Sequence, residues 1–204
     1  MQTTTAEYQR RFDEISEYIS YLELLENTTG PSVTLMSTMK ASALLMLYNL
    51  VESTMTNTVQ AVFDHIKTHR VGLDGLTDDV KIFVIGNVKR RNAKSLVEKM
   101  KTDKVDLSIA SFDRADVFSG NLDGKKIRET LKELGVNTTT SNNQPVLLTI
   151  KKSRNDLAHG KMSFADAGKN ITTSDLKTHL RKVGLLLTSV IKDFTTYVNN
   201  KDYA

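Results

Sequence analysis

An arginine and a histidine stand five positions apart in one segment of the 204-residue sequence, Arg154-Asn155-Asp156-Leu157-Ala158-His159-Gly160. These two side-chain types suit cleavage of a phosphodiester. Imidazole, with an ordinary pKa of about 6.5, takes up or gives a proton near neutral pH. Guanidinium stays charged and grips phosphate oxygens through its planar fork. In a chain with nine Arg and four His, the number of Arg–His pairs expected by chance at a spacing of four to six residues is on the order of one half. The spacing alone is therefore no evidence for a catalytic site.

Motifs of other enzyme classes are missing from the sequence. No glycine-rich phosphate loop, H-E-x-x-H pair or G-x-S-x-G turn occurs in it. With no cysteine, disulfides, thiolate metal sites, iron–sulfur clusters and cysteine nucleophiles are excluded. His65 and His69 have the spacing of a metal pair, but no Asp or Glu completes an obvious site, and we favour a solvated pair. His179 lies among basic residues and is expected at the surface. The sequence predicts no metal and no other cofactor.

The full segment carries more information than its spacing does. Arg154 to Gly160 resembles the R-x(4 to 6)-H signature of the HEPN superfamily (higher eukaryotes and prokaryotes nucleotide-binding), in which a polar residue, often Asn, follows the Arg. Two other segments, Ala41 to Thr54 and Phe118 to Arg128, are similar to a bacterial group of HEPN-like nucleases. The resemblance covers most of the chain, although only the first segment is a catalytic motif.

This resemblance implies an all-helical domain that forms a homodimer and brings both copies of the motif together. Its implied activity is that of a metal-independent endoribonuclease, commonly a toxin or antiphage effector, held in check by an antitoxin protein or by its own resting state. The implied catalytic residues are Arg154, His159 and Asn155, the last at the polar position beside the Arg. Asp156 and Glu52 take supporting places, Glu52 because it falls on a helix that often faces the motif in this superfamily.

Helix geometry independently favours a site shared between two copies. Five residues on a straight helix leave Arg154 and His159 about 140° apart around the axis and about 7.5 Å apart along it. One chain makes an awkward site unless the helix breaks near Gly160, whereas a two-fold dimer faces two Arg and two His across a cleft. A base would take the 2′-hydroxyl proton, an acid would protonate the 5′-oxygen, and Arg would stabilise the charged phosphorane. The product would carry a 2′,3′-cyclic phosphate, and DNA would not be cut.

Positive charge is concentrated in two regions suited to RNA. The net charge is +4, but residues 1–30 hold two basic and six acidic residues, whereas residues 85–104 hold seven basic and two acidic residues. A second cluster, residues 151–161, holds four basic residues and one acidic residue. Clustered positive charge favours a polyanionic partner. The predicted RNA-binding residues are Lys151, Lys152, Lys161, Lys89, Arg90 and Arg91.

Three other interpretations stay open from the sequence. The segment could be an exposed helix end, with Asp156 paired locally and His159 near the negative helix terminus. The chain could be a non-catalytic HEPN module that binds RNA, a nucleotide or a partner protein. It could also bind nucleic acid generically through residues 85–104, although 6% aromatic content offers little for base stacking. A Lys-rich stretch can equally be a solvated helix face.

The elements that would position these residues are helices. Apolar side chains at three- and four-residue spacing, together with capping residues, predict helices over about Ala6–Glu26, Leu35–His69, Asp78–Arg91, Ala93–Lys101, Gly124–Leu134, 145–159 and Ser174–Asn200. Val105, Leu107 and Ile109 alternate with polar residues, which indicates a short strand or an extended segment. This pattern opens a mid-chain insertion of about 105–143, in which Val136–Gln144 is expected to be a loop.

These patterns predict one domain over residues 1–204, an all-α bundle of HEPN type with one long central helix. The longest apolar runs fall far short of the roughly 20 residues that a membrane span requires. No apolar stretch follows a basic start, so no secretory signal is expected. We therefore expect a cytoplasmic protein that binds RNA and no membrane.

Overall fold

The computed structural model describes residues 1–28, 30–114, 117–118, 121–138 and 145–204. In these ranges the chain forms nine α-helices, a 3₁₀ turn at Leu73–Gly75 and no strand. The all-α class is therefore confirmed. The helices are α1 Gln2–Glu26, α2 Val33–Thr68, α3 Asp78–Lys89, α4 Ala93–Asp103, α5 Leu107–Ser111, α6 Gly124–Glu133, α7 Pro145–Ala158, α8 Phe164–Gly168 and α9 Thr173–Asn200.

The long central helix α2 organises the core. It packs against α1, α7, α8 and α9, and its buried residues run from Ser37 to Ile66 on more than one side of the helix. A helix with several buried sides needs apolar residues around much of its circumference, and α2 has them. In contrast, α1 and α9 bury one stripe each. None of the helices in the described ranges combines the length and the apolar character that crossing a membrane requires.

The helix ends follow local capping chemistry. Asp123 caps α6 by accepting a hydrogen bond from the Lys126 N–H at 2.9 Å, as predicted. Helix α9 begins one residue earlier than predicted because Thr172 and Asp175 form a reciprocal capping box. The loop predicted at Val136–Gln144 is described only as far as residue 138, where no helix is present. The rest of that loop lies outside the described residues.

The prediction of a strand or an extended segment at Val105, Leu107 and Ile109 is wrong, because Leu107–Ser111 forms α5. The Asp106 side chain accepts the Ser108 N–H at 3.0 Å, and its carbonyl accepts the Ala110 N–H at 2.9 Å. Isolated strands leave their backbone groups without partners, and no other strand is present in the described ranges. A capped helical turn satisfies those groups locally.

Helix α8 is a further difference, since the sequence analysis does not predict it. The Ser163 hydroxyl caps it by accepting the Asp166 N–H at 3.1 Å. Its last residue, Gly168, lies so close to α2 that an added Cβ would stand 1.8 Å from the Ser37 carbonyl oxygen. Five residues are too few to show helical periodicity in the sequence. The cap and the close approach to α2 become visible only in the structure.

Candidate active site

Arg154 lies on the side of α7 that faces α2. Its guanidinium carbon stands 5.2 Å from the ring centroid of Tyr48, a cation–π contact, and the side chain is half-buried. Arg154 also donates from Nη1 to Asn155 Oδ1 at 3.1 Å. Such a contact strengthens when the cation is partly desolvated. The guanidinium is therefore held by an aromatic face on one side and by its neighbouring amide on another.

Tyr48 links Arg154 to Glu52. The Tyr48 ring is 2% exposed, and its hydroxyl donates to Glu52 Oε1 at 3.4 Å while accepting the Leu122 N–H at 3.2 Å. Burial raises the pKa of the Tyr48 phenol, and the Glu52 carboxylate raises it further, against the opposing effects of the Leu122 N–H and Arg154. The phenol therefore stays a neutral hydrogen-bond donor.

Tyr48 is a candidate site residue that the sequence analysis does not identify. Glu52, which the analysis does identify, reaches Arg154 through it. The available signal is the four-residue spacing between Tyr48 and Glu52, which places both on one face of α2. Because Tyr48 also belongs to the apolar stripe of that helix, its pattern is that of an ordinary core residue.

His159 stands at the C-terminal cap of α7 and is exposed. Its N–H donates to the Asn155 carbonyl at 3.0 Å, so it takes part in the last turn. Gly160 then adopts a left-handed conformation with φ +64°. The Gly160 and Lys161 N–H groups donate back to Leu157 and Asp156 at 3.1 and 2.9 Å, which is the Schellman pattern of helix termination. The helix ends where the sequence predicts.

Four side chains form a stripe along one side of α7. Leu148, which is 59% exposed, lies within about 40° of Lys152, Asn155 and His159 on a regular helix. Lys152 and His159 are exposed, and Asn155 is half-buried. Arg154 lies on another side of the same helix. One chain therefore presents the histidine outward and holds the arginine against α2.

The other predicted basic residues of this region differ in their surroundings. Lys152 and Lys161 are exposed. Lys151 instead forms an ion pair with Asp123, with Nζ 2.8 Å from Oδ2 and side chains 23% and 15% exposed. Burial opposes ionisation of Asp123, but Lys151 and the Lys126 N–H outweigh it and lower the pKa of the carboxyl group. The charge of Lys151 is therefore balanced within the fold.

The basic residues at the end of α3 also make contacts within the chain. Arg90, although exposed, donates to the Gly86 carbonyl at 3.1 Å and to Asn87 Oδ1 at 2.9 Å. Arg91 donates to the Ser111 carbonyl at 3.3 Å and stands 3.6 Å from Asp113, so it holds the C-terminal end of α5. Lys89 is exposed. Part of this positive charge thus stabilises the fold, and an RNA-binding role for Lys89, Arg90 and Arg91 stays a prediction.

The three histidines outside the motif have different surroundings. His65 Nδ1 shares a hydrogen bond with the Tyr203 hydroxyl at 2.8 Å, and His69 is exposed. His179 is half-buried rather than at the surface as expected, and its Nδ1 has no hydrogen-bond partner among the described residues. Burial lowers the pKa of His179. Within the described ranges, no group of three or more His, Cys, Asp or Glu side chains could hold a metal ion.

A groove of about 610 Å³ opens beside Glu52. Its walls come from α1, α2 and the segment after α5, so it lies against the same face of α2 that carries Glu52. Arg11 and Arg114 contribute positive charge, although Arg11 pairs with Glu7 and Arg114 donates to Asn57 Oδ1 at 2.6 Å. Glu52 lines this groove, whereas Tyr48 and Arg154 do not. Its lining residues are Arg11, Asn49, Glu52, Ser53, Thr56, Asp113, Arg114 and Phe118.

Comparison with known protein families identifies one match, and it agrees with the all-helical fold. The model of a HEPN family, HEPN_MAE_28990, matches residues 2–203. Neither the curated proteins nor the solved structures give a significant match. Because the match covers nearly the whole chain, from α1 to α9, the chain belongs to the HEPN_MAE_28990 family of the HEPN superfamily.

Proposed function

We propose that this protein is a metal-independent endoribonuclease whose active site combines Arg154 and His159 from two copies of the chain. The observation that carries the proposal is the fixed position of Arg154, half-buried over Tyr48, on the helix whose end exposes His159. A cation that is already in place needs little reorganisation when charge develops in the transition state. An exposed imidazole at the end of the same helix can reach a bound substrate.

The reaction follows from the chemistry of these side chains. One His159 removes the proton from a ribose 2′-hydroxyl, and the 2′-oxygen attacks the adjacent phosphorus. The other His159 protonates the departing 5′-oxygen. Arg154 stabilises the negative charge on the non-bridging oxygens. The P–O5′ bond breaks, and the products are a 2′,3′-cyclic phosphate and a 5′-hydroxyl.

Two observations support the use of a second copy. Arg154 and His159 lie on different sides of α7, so one chain does not aim both at one point. The exposed stripe with His159 also carries Leu148, an apolar side chain that is 59% exposed and that a partner surface could cover. A two-fold contact along this stripe would place each His159 near the partner's motif.

The surrounding residues take supporting roles in this proposal. Asn155 orients the guanidinium through the hydrogen bond from Arg154, and Glu52 acts through Tyr48. Asp156 closes the helix end through its carbonyl. The exposed Lys152 and Lys161 attract the phosphates of RNA. We further propose a cytoplasmic toxin or antiphage effector, restrained by an antitoxin protein or by its own resting state.

The test compares wild type with Arg154→Ala and His159→Ala. Growth and total RNA integrity are followed after induction, and cleavage of a labelled RNA is measured with the purified proteins. Loss of the acid–base group in His159→Ala is expected to slow cleavage by about 10²–10⁴-fold or more, and loss of the charge-stabilising group in Arg154→Ala by about 10²–10³-fold. His69→Ala and Arg181→Ala, which remove an exposed His and an exposed Arg outside the motif and outside the predicted RNA-binding residues, are the matched controls.

Three results would contradict this proposal. Equal RNA integrity in wild type and both motif variants would leave the non-catalytic HEPN module as the better account, especially if the wild type binds RNA. Cleavage that disappears with EDTA would contradict the metal-independent mechanism. Cleavage of DNA at comparable rates would contradict attack by the 2′-hydroxyl.

A further inference from the structure

Two consecutive residues before α6 contact the surroundings of Arg154 from two directions. Leu122 donates its N–H to the Tyr48 hydroxyl at 3.2 Å, and Asp123 Oδ2 accepts from Lys151 Nζ at 2.8 Å. Tyr48 lies beneath the guanidinium, and Lys151 precedes Arg154 by one turn of α7. We call Leu122 and Asp123, with these two contacts, the α6 clamp.

We infer that Tyr48 and the α6 clamp are positioning elements that fix Arg154 before RNA binds. The catalytic readouts of this inference rest on the proposed function; its spectroscopic readout does not. The inference assigns Lys151 a role different from the one predicted from charge. Lys151 holds α7 in place through Asp123, instead of contacting RNA directly.

Contacts and burial restrict the movement of both residues of the α6 clamp. Asp123 Oδ1 caps α6 through the Lys126 N–H at 2.9 Å, so the carboxylate cannot follow a displaced Lys151. Both charges of the ion pair are largely shielded from water. Removing one partner would leave the other poorly compensated. Leu122 itself is 2% exposed, so its N–H has no ready replacement for the Tyr48 hydroxyl.

A double-mutant cycle on the ion pair separates positioning from direct RNA contact. Asp123→Asn keeps a good N-cap but removes the charge that Lys151 faces, and Lys151→Met removes the cation. We expect each variant, and the double variant, to lower kcat for an RNA oligonucleotide by about tenfold, because small displacements of a catalytic group cost about that much or more. The effects are not additive, since both remove one contact. KM is expected to change by less than about twofold.

A direct RNA contact would give the opposite pattern. Lys151→Met alone would raise KM and flatten the salt dependence of binding, while Asp123→Asn would leave both unchanged; that result would overturn the inference. Lys40→Met is the matched control, because Lys40 forms another partly buried ion pair, with Glu26, that joins α1 to α2. Its kcat is expected to stay within about twofold of wild type.

A second measurement does not depend on cleavage. The Nε–H signal of Arg154 in a ¹⁵N NMR spectrum, assigned by its loss in Arg154→Lys, reports how the guanidinium is held. We expect Tyr48→Leu to shift and broaden it, Tyr48→Phe to change it less because the ring remains, and Tyr18→Leu to leave it unchanged. An unchanged Arg154 signal in folded Tyr48→Leu and Asp123→Asn would overturn the inference. If these variants disturb the Arg154 signal but the wild type cleaves no RNA, only the proposed function is refuted.

Discussion

The side chains of Arg154 and His159 lie in contrasting environments although both residues belong to one short motif. The guanidinium packs against a buried tyrosine ring, whereas the imidazole projects from the end of α7 into solvent. This arrangement suits their proposed roles: a cation that stabilises charge gains from being fixed, and a group that exchanges protons needs access to substrate and water. In the proposed reaction, the motif therefore combines a fixed arginine with an accessible histidine.

Replacing Arg154 with lysine tests whether charge alone is sufficient. Lysine keeps the positive charge but lacks the planar fork, so it cannot lie over Tyr48, donate to Asn155 and bind two phosphate oxygens together. We expect Arg154→Lys to cut RNA about 10²-fold more slowly than wild type, the order expected when one charge-stabilising group is lost. The melting temperature should stay close to that of wild type. Near-wild-type cleavage by Arg154→Lys would argue against a geometric role for the guanidinium.

His179 gives a prediction about stability and pH. Burial lowers its pKa; Asp175 opposes this shift and Lys182 adds to it. Protonation is therefore easier in the unfolded chain than in the folded one, and the free energy of unfolding should fall as pH drops below about 6.5. His65, whose pKa is lowered by burial and by nearby positive groups, acts in the same direction.

Urea unfolding between pH 5.5 and 7.5 tests the His179 prediction, because carboxyl groups with lowered pKa values titrate below this window. His179→Gln should reduce the slope of the free energy of unfolding against pH, and the further change His65→Gln should reduce it again. Parallel slopes for wild type and His179→Gln would show that His179 carries none of the pH dependence.

Single residues also show what the sequence could reveal. Arg154, Asn155 and His159 lie in one segment, so a motif identifies them without knowledge of the fold. Tyr48 is hidden because a tyrosine on the buried stripe of a helix looks like core. The ion pair of Lys151 is hidden for a related reason, because a count of charges cannot show that its partner is Asp123, 28 positions earlier.

At the scale of elements, the helices with regular apolar spacing are predicted and the irregular ones are not. The ranges of α1, α2, α7 and α9 follow from patterns repeated over several turns. The short α5 and α8 depend on one cap each and on contacts with other helices, which a local pattern does not contain. Three alternating apolar residues are too few to distinguish a strand from one helical turn.

The end of α7 can be tested with a matched pair of glycines. An added Cβ meets no atom within 4 Å at Gly160 or at Gly86, so steric crowding is absent at both. Gly160 has φ +64°, where an L-residue is strained by about 1 kcal/mol, whereas Gly86 lies inside α3. We expect Gly160→Ala to lower the free energy of unfolding by about 1 kcal/mol and Gly86→Ala to leave it unchanged or raise it by about 0.5–1 kcal/mol.

The same glycine variants connect stability to activity. His159 immediately precedes Gly160, so strain at residue 160 displaces the imidazole, and RNA cleavage should fall by more than the loss of folded protein explains. Urea unfolding and cleavage rates measured on the same samples separate the two effects. Equal stability of Gly160→Ala and Gly86→Ala would mean that the left-handed turn does not constrain the helix end.

At the scale of the whole molecule, the bundle places its charges unevenly. The acidic N-terminal region forms α1, the motif lies on α7, and both helices pack against the central helix α2. Some basic residues stabilise the chain itself, through Arg91 at α5 and Lys151 at α6. In the proposed function, the exposed Lys152 and Lys161, close to His159 in the sequence, are the cations that meet RNA. An RNA strand would therefore be drawn to the end of α7 rather than to α1.

A mixing experiment tests whether two copies build one site. The proposed reaction uses one His159 as the base and the other as the acid, so a dimer of one wild-type chain and one His159→Ala chain lacks one of the two roles. Random association of equal amounts makes about half of the dimers mixed. We expect mixed dimers isolated through two different affinity tags to cleave RNA at least about tenfold more slowly than the wild-type dimer, because general acid–base catalysis contributes about 10²–10⁴-fold. Mixed dimers of wild type and His69→Ala should cleave at the wild-type rate. If mixed dimers of wild type and His159→Ala instead keep about half of the wild-type rate, each chain holds a complete site of its own, because the wild-type chain then works without a second His159.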